Sequence, residues 1–212
     1  MSYEPSDKEP LIFEEPDLSG EYSAQDYLRW RFEGYVELIK GKIFRMSPSP
    51  ADPHQALSAE LSYLFHGYLK GHPCTFRNAP YDVYLIKEGQ DFKKTKNIVQ
   101  PDIAIICDKQ KITYRGCVGS PDFVLEILSP STRKKDLTLK MDLYEEYGVK
   151  EYWAVSITER LFIVNRLDTN GKYTSQKTYT EGATIAPLDF TKLEVDIAKV
   201  FKEAGIQEQE EY

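Results

Sequence analysis

The sequence predicts an α/β (α+β) domain, a mixed β-sheet flanked by helices with a further helix and hairpin toward the N-terminus. Three observations predict it. Segments of helical and strand periodicity alternate along the chain, as in layered mixed folds. Two runs, Asp102-Ile-Ala-Ile-Ile-Cys and Phe123-Val-Leu-Glu-Ile-Leu, are apolar on both faces, the pattern of central strands covered on each side. Finally, 212 residues with 41% hydrophobic and 13% aromatic side chains supply enough apolar surface for one substantial core, which excludes fibrous and disordered classes.

Taken in order, residues 1–20 hold Pro5, Pro10, Pro16 and Gly20 among acids and read as an extended arm. Ser23 is placed to cap a helix from Ala24 to about Phe32, which Gly34 ends. Tyr35–Ile39 and Lys42–Met46 flank Lys40-Gly41, a two-residue turn with glycine where positive φ is needed, so a hairpin is expected. From about Pro53 to Leu69, Leu57, Leu61, Leu64, Phe65 and Tyr68 form the stripe of an amphipathic helix. Strands are expected over Ala79–Ile86, Ile98–Cys107 and Phe123–Leu128, with a loop around Gly116, Gly119 and Pro121. Ser129-Pro-Ser-Thr132 then offers capping hydroxyls to a helix from Arg133 to Tyr147, closed by Gly148. Strands Glu151–Ser156, Leu161–Leu167 and Tyr173–Tyr179 come next, and Leu193–Phe201 closes the chain. Tyr152 and Trp153 read as core.

The formal charge of -7 argues against a surface that wraps nucleic acid everywhere, but the charge is uneven. Residues 1–21 carry seven acids and one base, and residues 203–212 carry four acids and no base, so residues 22–202 are left at +3. The expected organisation is an acidic arm (1–21), one domain (22–202) and an acidic tail (203–212). Cys74, Cys107 and Cys117 are odd in number and widely spaced, which indicates neither a disulfide framework nor a zinc site. No window approaches the roughly 18 apolar residues of a membrane span and the start is acidic. A soluble, cytoplasmic protein is expected.

Candidate chemistry concentrates in four charged positions. Asp102 follows Pro101 at the entry to an apolar strand, Glu126 sits inside another, and Asp136 and Lys140 are one helical turn apart downstream. A carboxylate within a central strand is costly unless paired, protonated or bound to a cation. Two carboxylates converging from neighbouring strands repel, and Mg²⁺ or Mn²⁺ relieves that repulsion through oxygen ligands. An ammonium such as Lys140 would orient an attacking water or stabilise charge building on phosphorus.

A Pro-Asp opening one strand and an acid within the next resembles the PD-(D/E)xK nuclease superfamily. More closely, the chain is similar to the Uma family of restriction-endonuclease-like proteins. The similarity rests on Val36-Glu-Leu-Ile-Lys-Gly-Lys-Ile with Met46-Ser-Pro, His54, Gln100-Pro-Asp-Ile-Ala, Ser120-Pro-Asp-Phe-Val-Leu-Glu-Ile-Leu-Ser-Pro-Ser-Thr, then Asp136, Lys140, Tyr144 and Gly148-Val-Lys-Glu-Tyr-Trp. The resemblance implies a restriction-endonuclease-like fold, a divalent cation (Mg²⁺ or Mn²⁺), DNA as substrate, and Asp102 and Glu126 as metal ligands. The superfamily's usual lysine position is Leu128 here, so Lys140 from the following helix would replace it, with Asp136 orienting it. Glu37 and His54 are candidates to support the site. Arg133, Lys134 and Lys135, with Lys93, Lys94 and Lys96, are candidates for phosphate contacts.

Each position has an ordinary structural alternative: Asp102 and Asp122 as turn residues, Glu126 in a buried salt bridge to Lys140 or Arg133, Asp136–Lys140 as a solvated helical pair, His54 as a cap, and the lysines as solvated loops. At the level of function, the alternatives to a metal-dependent endonuclease are a nuclease-fold binding module with little catalysis and a phosphodiesterase for another substrate. A double-strand cutter would act as a homodimer.

Overall fold

The computed structural model describes residues 17–30, 34–46 and 51–207. Most of the acidic arm and tail, and the Phe32 end of the first expected helix, lie outside the described residues.

The first described helix is a single turn, α1 (Ala24–Tyr27), at whose start the Ser23 amide and hydroxyl both donate to the Asp26 carboxylate. The hairpin is present as expected, β1 (Val36–Ile39) and β2 (Lys42–Arg45), with φ of 51° at Lys40 and 79° at Gly41 in the turn. The long helix α2 (Asp52–Leu69) buries Leu57, Leu61, Phe65 and Leu69.

The middle of the chain departs from the sequence reading. A strand not expected from the sequence, β3 (Thr75–Asn78), comes first, and after Ala79-Pro80 the strand expected over Ala79–Ile86 shortens to β4 (Val83–Tyr84). The strand expected over Ile98–Cys107 is two, β5 (Ile98–Val99) and β6 (Ile103–Ile106), which lie in different sheets. Pro101, without a donor, interrupts the ladder where the chain changes sheet. The expected glycine-containing loop holds another hairpin, β7 (Ile112–Thr113) and β8 (Gly116–Val118). Then come β9 (Phe123–Leu128) and a continuous helical run: α3 (Arg133–Lys135), a π-helical segment Asp136–Lys140, and α4 (Met141–Glu146). The chain finishes with β10 (Glu151–Ser156), β11 (Leu161–Arg166), β12 (Ser175–Tyr179), the ribbon β13 (Thr184–Ile185) and β14 (Val195–Asp196), and α5 (Ile197–Glu203).

Among the described residues two six-stranded sheets result, both mixed. The first has the order β2-β1-β5-β4-β8-β7, and the second β12-β11-β10-β9-β6-β3 with β9 and β10 parallel. Helices α2 and α5 cover one face of the second sheet, packing Leu61, Phe65, Val200 and Phe201 on Phe123, Leu125, Ile127 and Trp153. The opposite face meets the first sheet and α4 through Ile39, Val83, Val99, Val124, Leu128, Tyr144 and Tyr152. A third cluster packs Ala24 and Trp30 on Val36, Leu38, Tyr84 and Ile98, on the far face of the first sheet. Tyr152 and Trp153 are both fully buried, in line with their core reading.

The cysteine reading needs correction: Cys74 and Cys107 form a disulfide. Thr75 pairs with Ile106, so the residues just beyond them on these antiparallel strands stand opposite one another. A separation of 33 residues carries no signature of that register, which is why the spacing gave no hint of it. Cys117 remains a free thiol, and burial pushes it up to about 12.

Candidate functional site

Strand parity delivers the first two carboxylates to one place. In β9, Phe123, Leu125 and Ile127 face α2 and α5, so Glu126 points the other way, into the layer between the sheets. In β1, Val36 and Leu38 pack on the far face, so Glu37 points into that same layer from the other side. Both are buried, Glu37 completely.

Asp102 arrives by a different route. The β6–β9 ladder ends with Ile103 opposite Leu125, and two residues beyond it the Ile127 amide has no strand partner from β6. Asp102 Oδ2 accepts that amide at 2.7 Å, so the side chain substitutes for the missing backbone acceptor. His54, in the first turn of α2, brings Nε2 to 3.6 Å from the same oxygen.

The π-helical segment positions the rest. An extra residue in the turn rotates the side chains beyond it about the helix axis, and such segments recur at functional sites. Here Lys140 Nζ lies 2.7 Å from Glu37 Oε1 and 2.8 Å from Glu126 Oε1, with Asp136 Oδ1 farther off at 3.8 Å. One turn later Tyr144 OH donates to Glu126 Oε1 at 2.6 Å. The Asp136 carbonyl accepts from Tyr152 OH at 3.1 Å. Asp136 and Lys140 are therefore not a solvated pair; they are 2% and 3% exposed.

Glu37 ties the cluster together. It accepts Lys140, Lys135 Nζ at 2.6 Å and the Gln100 backbone amide at 3.0 Å. Burial works to raise its carboxyl, but the Lys140 and Lys135 ammonium groups hold it below the usual range. Glu126 goes the other way: burial pushes it up to about 8, Lys140 opposes this, and Asp136, Asp102 and Glu37 add to it. Burial also raises Asp136, against Lys140. For Lys140, burial favours the neutral amine, yet Glu126, Glu37 and Asp136 outweigh it and keep the ammonium. His54 loses charge to burial but is raised by the adjacent Asp102.

These groups line a cleft of about 430 Å³. Its rim is the Ser129–Thr132 turn, where Ser129 Oγ lies 2.9 Å from Thr132 Oγ1, and its wall includes Met46, Ile157 and Pro130. The basic candidates separate. Lys135 is committed to Glu37, Arg133 pairs with Glu159 at 2.7 Å, Lys96 pairs with Glu21 at 2.8 Å, and Lys134 is exposed beside the cleft-lining turn. Asp122, read as a turn residue, accepts the Cys107 amide and pairs with Lys150.

The sequence reading gave no site role to Gln100 or Tyr144. Gln100 is 5% exposed, sits in the cleft wall and leaves Oε1 buried without a partner. Both stand within the segments that carry the family resemblance, but only the fold shows that they touch Glu37 and Glu126.

The donor chemistry fits a hard divalent cation. Among the described residues four carboxylates, Glu37, Asp102, Glu126 and Asp136, face two lysines; burial chiefly raises the Glu126 carboxyl, and the neighbouring acids add to it. Among the described residues, no group of three or more His, Cys, Asp or Glu side chains converges tightly enough to enclose an ion. Mg²⁺ does not need such a cage, since it keeps several waters and takes one or two carboxylates.

Comparison with known proteins bears on the family and the fold. The family Uma2, described as "Putative restriction endonuclease", matches residues 24–198. "Uncharacterized protein slr1290" of Synechocystis sp. is 30% identical over 139 residues, 64% of this chain and 69% of the relative. A protein of Anabaena variabilis, described as a "putative nuclease belonging to DUF820", has a crystal structure that superimposes with a TM-score of 0.69 at 17% identity, covering 86% of this chain and 99% of that one. Among the described residues, no helix is long and apolar enough to cross a membrane.

Proposed function

The chain belongs to the Uma2 family, and from that premise we propose that it is a metal-dependent DNA endonuclease whose centre is Asp102, Glu126 and Lys140. The observation that carries this reading is the convergence of these three groups in one cleft, with more buried acid than the neighbouring cations neutralise. Asp102 and Glu126 would hold Mg²⁺ or Mn²⁺, which when bound supplies Lewis-acid polarisation of a phosphate oxygen and a more acidic water.

The chain's own residues do the rest. Asp102 is fixed by the Ile127 amide, and Glu126 by Tyr144. Lys140, kept charged and anchored by Glu37, stands where negative charge builds as a water oxygen joins phosphorus and the bond to the leaving sugar oxygen breaks. Asp136 orients Lys140 from one turn away, and His54 steadies Asp102. The hydroxyls of Ser129, Ser131 and Thr132 at the rim meet neighbouring phosphates, with the exposed Lys134 next to them in the chain. Cutting both strands would take two copies of the chain.

Purified full-length protein with Mg²⁺ or Mn²⁺ should nick supercoiled DNA, and Asp102→Ala or Glu126→Ala should abolish nicking. Cleavage surviving both substitutions removes the reading. One observation favours a second reading, a binding module with little catalysis: the Lys140 ammonium is already engaged by two carboxylates. Calorimetry separates the two, because the module has no need to bind Mg²⁺ through Asp102 and Glu126.

A further inference from the structure

The far face of the first sheet carries a feature that the cleft chemistry does not use. The turn joining β7 to β8 presents Tyr114, 87% exposed, and Arg115 at the sheet's edge. A hollow opens on either side of this tip. One, of about 330 Å³, is walled by Tyr27, Trp30, Tyr35 and Tyr84, with Asp82 in its lining. The other, of about 560 Å³, is bordered by Phe92, Lys111 and Val118. Tyr114 and Arg115 line both.

Two short turns border the second hollow, Phe92–Lys94 and Lys109–Lys111. Together with Arg115 they carry five bases. Against them stand two acids, Asp91 and Asp108, the latter in the lining of the second hollow and each accepting a backbone amide of its own turn, so the bases remain in excess. On a chain of net charge -7 this is a local reversal of sign.

Charge and shape divide the work between rim and hollow. A phosphate is favoured at the rim, where Arg115 and the lysines stand, and disfavoured inside the first hollow, where Asp82 already gathers Tyr27 OH, Tyr84 OH and Gln100. The aromatic walls instead suit the flat, uncharged face of a base. A pocket of some 300 Å³ or more is in the range that encloses small ligands. Cationic rims with exposed aromatic side chains are how proteins hold single strands without reading sequence.

We propose that this face is a second docking surface for nucleic acid, taking a single-stranded segment with its phosphates on Arg115 and the neighbouring lysines and its bases against Tyr114 and in the aromatic hollow. It rests on the nuclease reading of the cleft and names how that site's substrate is retained. Tyr84 lines the hollow from the same strand as Val83, which packs into the layer between the sheets, so hollow and cleft lie on opposite faces of one sheet. A strand engaging both is held by two contacts, and its local concentration at the cleft rises accordingly.

The test uses the full chain in EDTA with a fluorescein-labelled 20-nucleotide oligo-dC, followed by anisotropy at several salt concentrations. Arg115→Glu should raise Kd at least about tenfold and flatten the dependence of log Kd on log salt by roughly 0.7 or more. Tyr114→Ala should raise Kd about tenfold with little change in that slope. Both positions are exposed, and both variants should hydrolyse bis(p-nitrophenyl) phosphate with Mn²⁺ at the parent's rate. Unchanged Kd and slope in both variants overturn the docking surface, as does a parent that does not bind the oligonucleotide. A parent that binds in this variant-sensitive way yet never cuts keeps the surface and removes the nuclease reading. Cutting with variant-insensitive binding does the reverse.

Discussion

Glu37 and Lys140, more than a hundred residues apart in sequence, meet at 2.7 Å with both side chains buried. Removing one partner of such a pair strands the other's charge, at a cost of about 3–5 kcal/mol. Lys140 keeps Glu126 as a second partner, so the lower end applies to Glu37→Gln. For a chain of this length about 3 kcal/mol is roughly a 6–12 °C fall in Tm. Loss of DNA nicking should exceed what partial unfolding explains at 20 °C, because Lys135 and Lys140 both lose their anchor. A variant with the parent's Tm and nicking rate would contradict the role given to Glu37.

Asp82 makes a pH prediction. Burial raises its carboxyl, against hydrogen bonds from Gln100, Tyr27 and Tyr84. Between its ordinary value of 3.8 and the higher folded value, the native protein holds a proton that the unfolded chain has released. Stability of the parent relative to Asp82→Asn should therefore fall as pH rises through that window and level off above it. Urea denaturation of both proteins from pH 3.5 to 7 measures the difference; a flat or rising difference would count against it.

The cysteines predict a thiol count. Cys74 and Cys107 are bridged and Cys117 is buried with a raised pKa, so the native protein should react slowly or not at all with a thiol reagent at pH 8. Unfolded in guanidinium without reductant, each chain should give one thiol, and three after reduction. Three thiols before reduction would mean the bridge is absent.

Gly116 has φ of 140°, and a Cβ there would drive into the Asp82 carbonyl. Cys117 donates its amide to that same carbonyl, so β8 cannot retreat without losing its contact with β4. Gly116→Ala should cost about 2 kcal/mol or more, read by chemical denaturation, and should weaken oligonucleotide binding at the hairpin tip. Parent-like stability would show that the strand relaxes at no cost.

Much of this arrangement was legible because some signals are local. The β9 run identified a central strand to the residue, and Glu126 inside it demanded an explanation that Lys140 and Tyr144 now supply. Asp102 was legible for its Pro-Asp context, though not for the change of sheet that Pro101 marks. Glu37 remained ambiguous, since a four-residue strand buried on both sides has no polar face to set its direction. The Cys74–Cys107 bridge and the π-helical turn were invisible for a related reason. One depends on register between strands, the other on packing that favours a wider turn, and neither has a short-range pattern. In the sequence Lys135 is a candidate either for a phosphate contact or for a solvated loop, whereas in the fold it is spent on Glu37 inside the protein.

The change of sheet at Pro101 has a mechanical consequence. Glu37 rides on one sheet, Glu126 on the other, and Asp102 sits on the chain that crosses between them. The proposed centre thus lies on a seam, whose width would change if the two sheets shifted on one another. Asp102 and Glu126, fastened to the same ladder, would keep their spacing under such a displacement, while Glu37 and the lysines it restrains would drift relative to them. Substitutions at neighbouring apolar contacts in that layer, such as Ile39, Val99 and Val124, would shift the spacing of the polar groups without removing any of them.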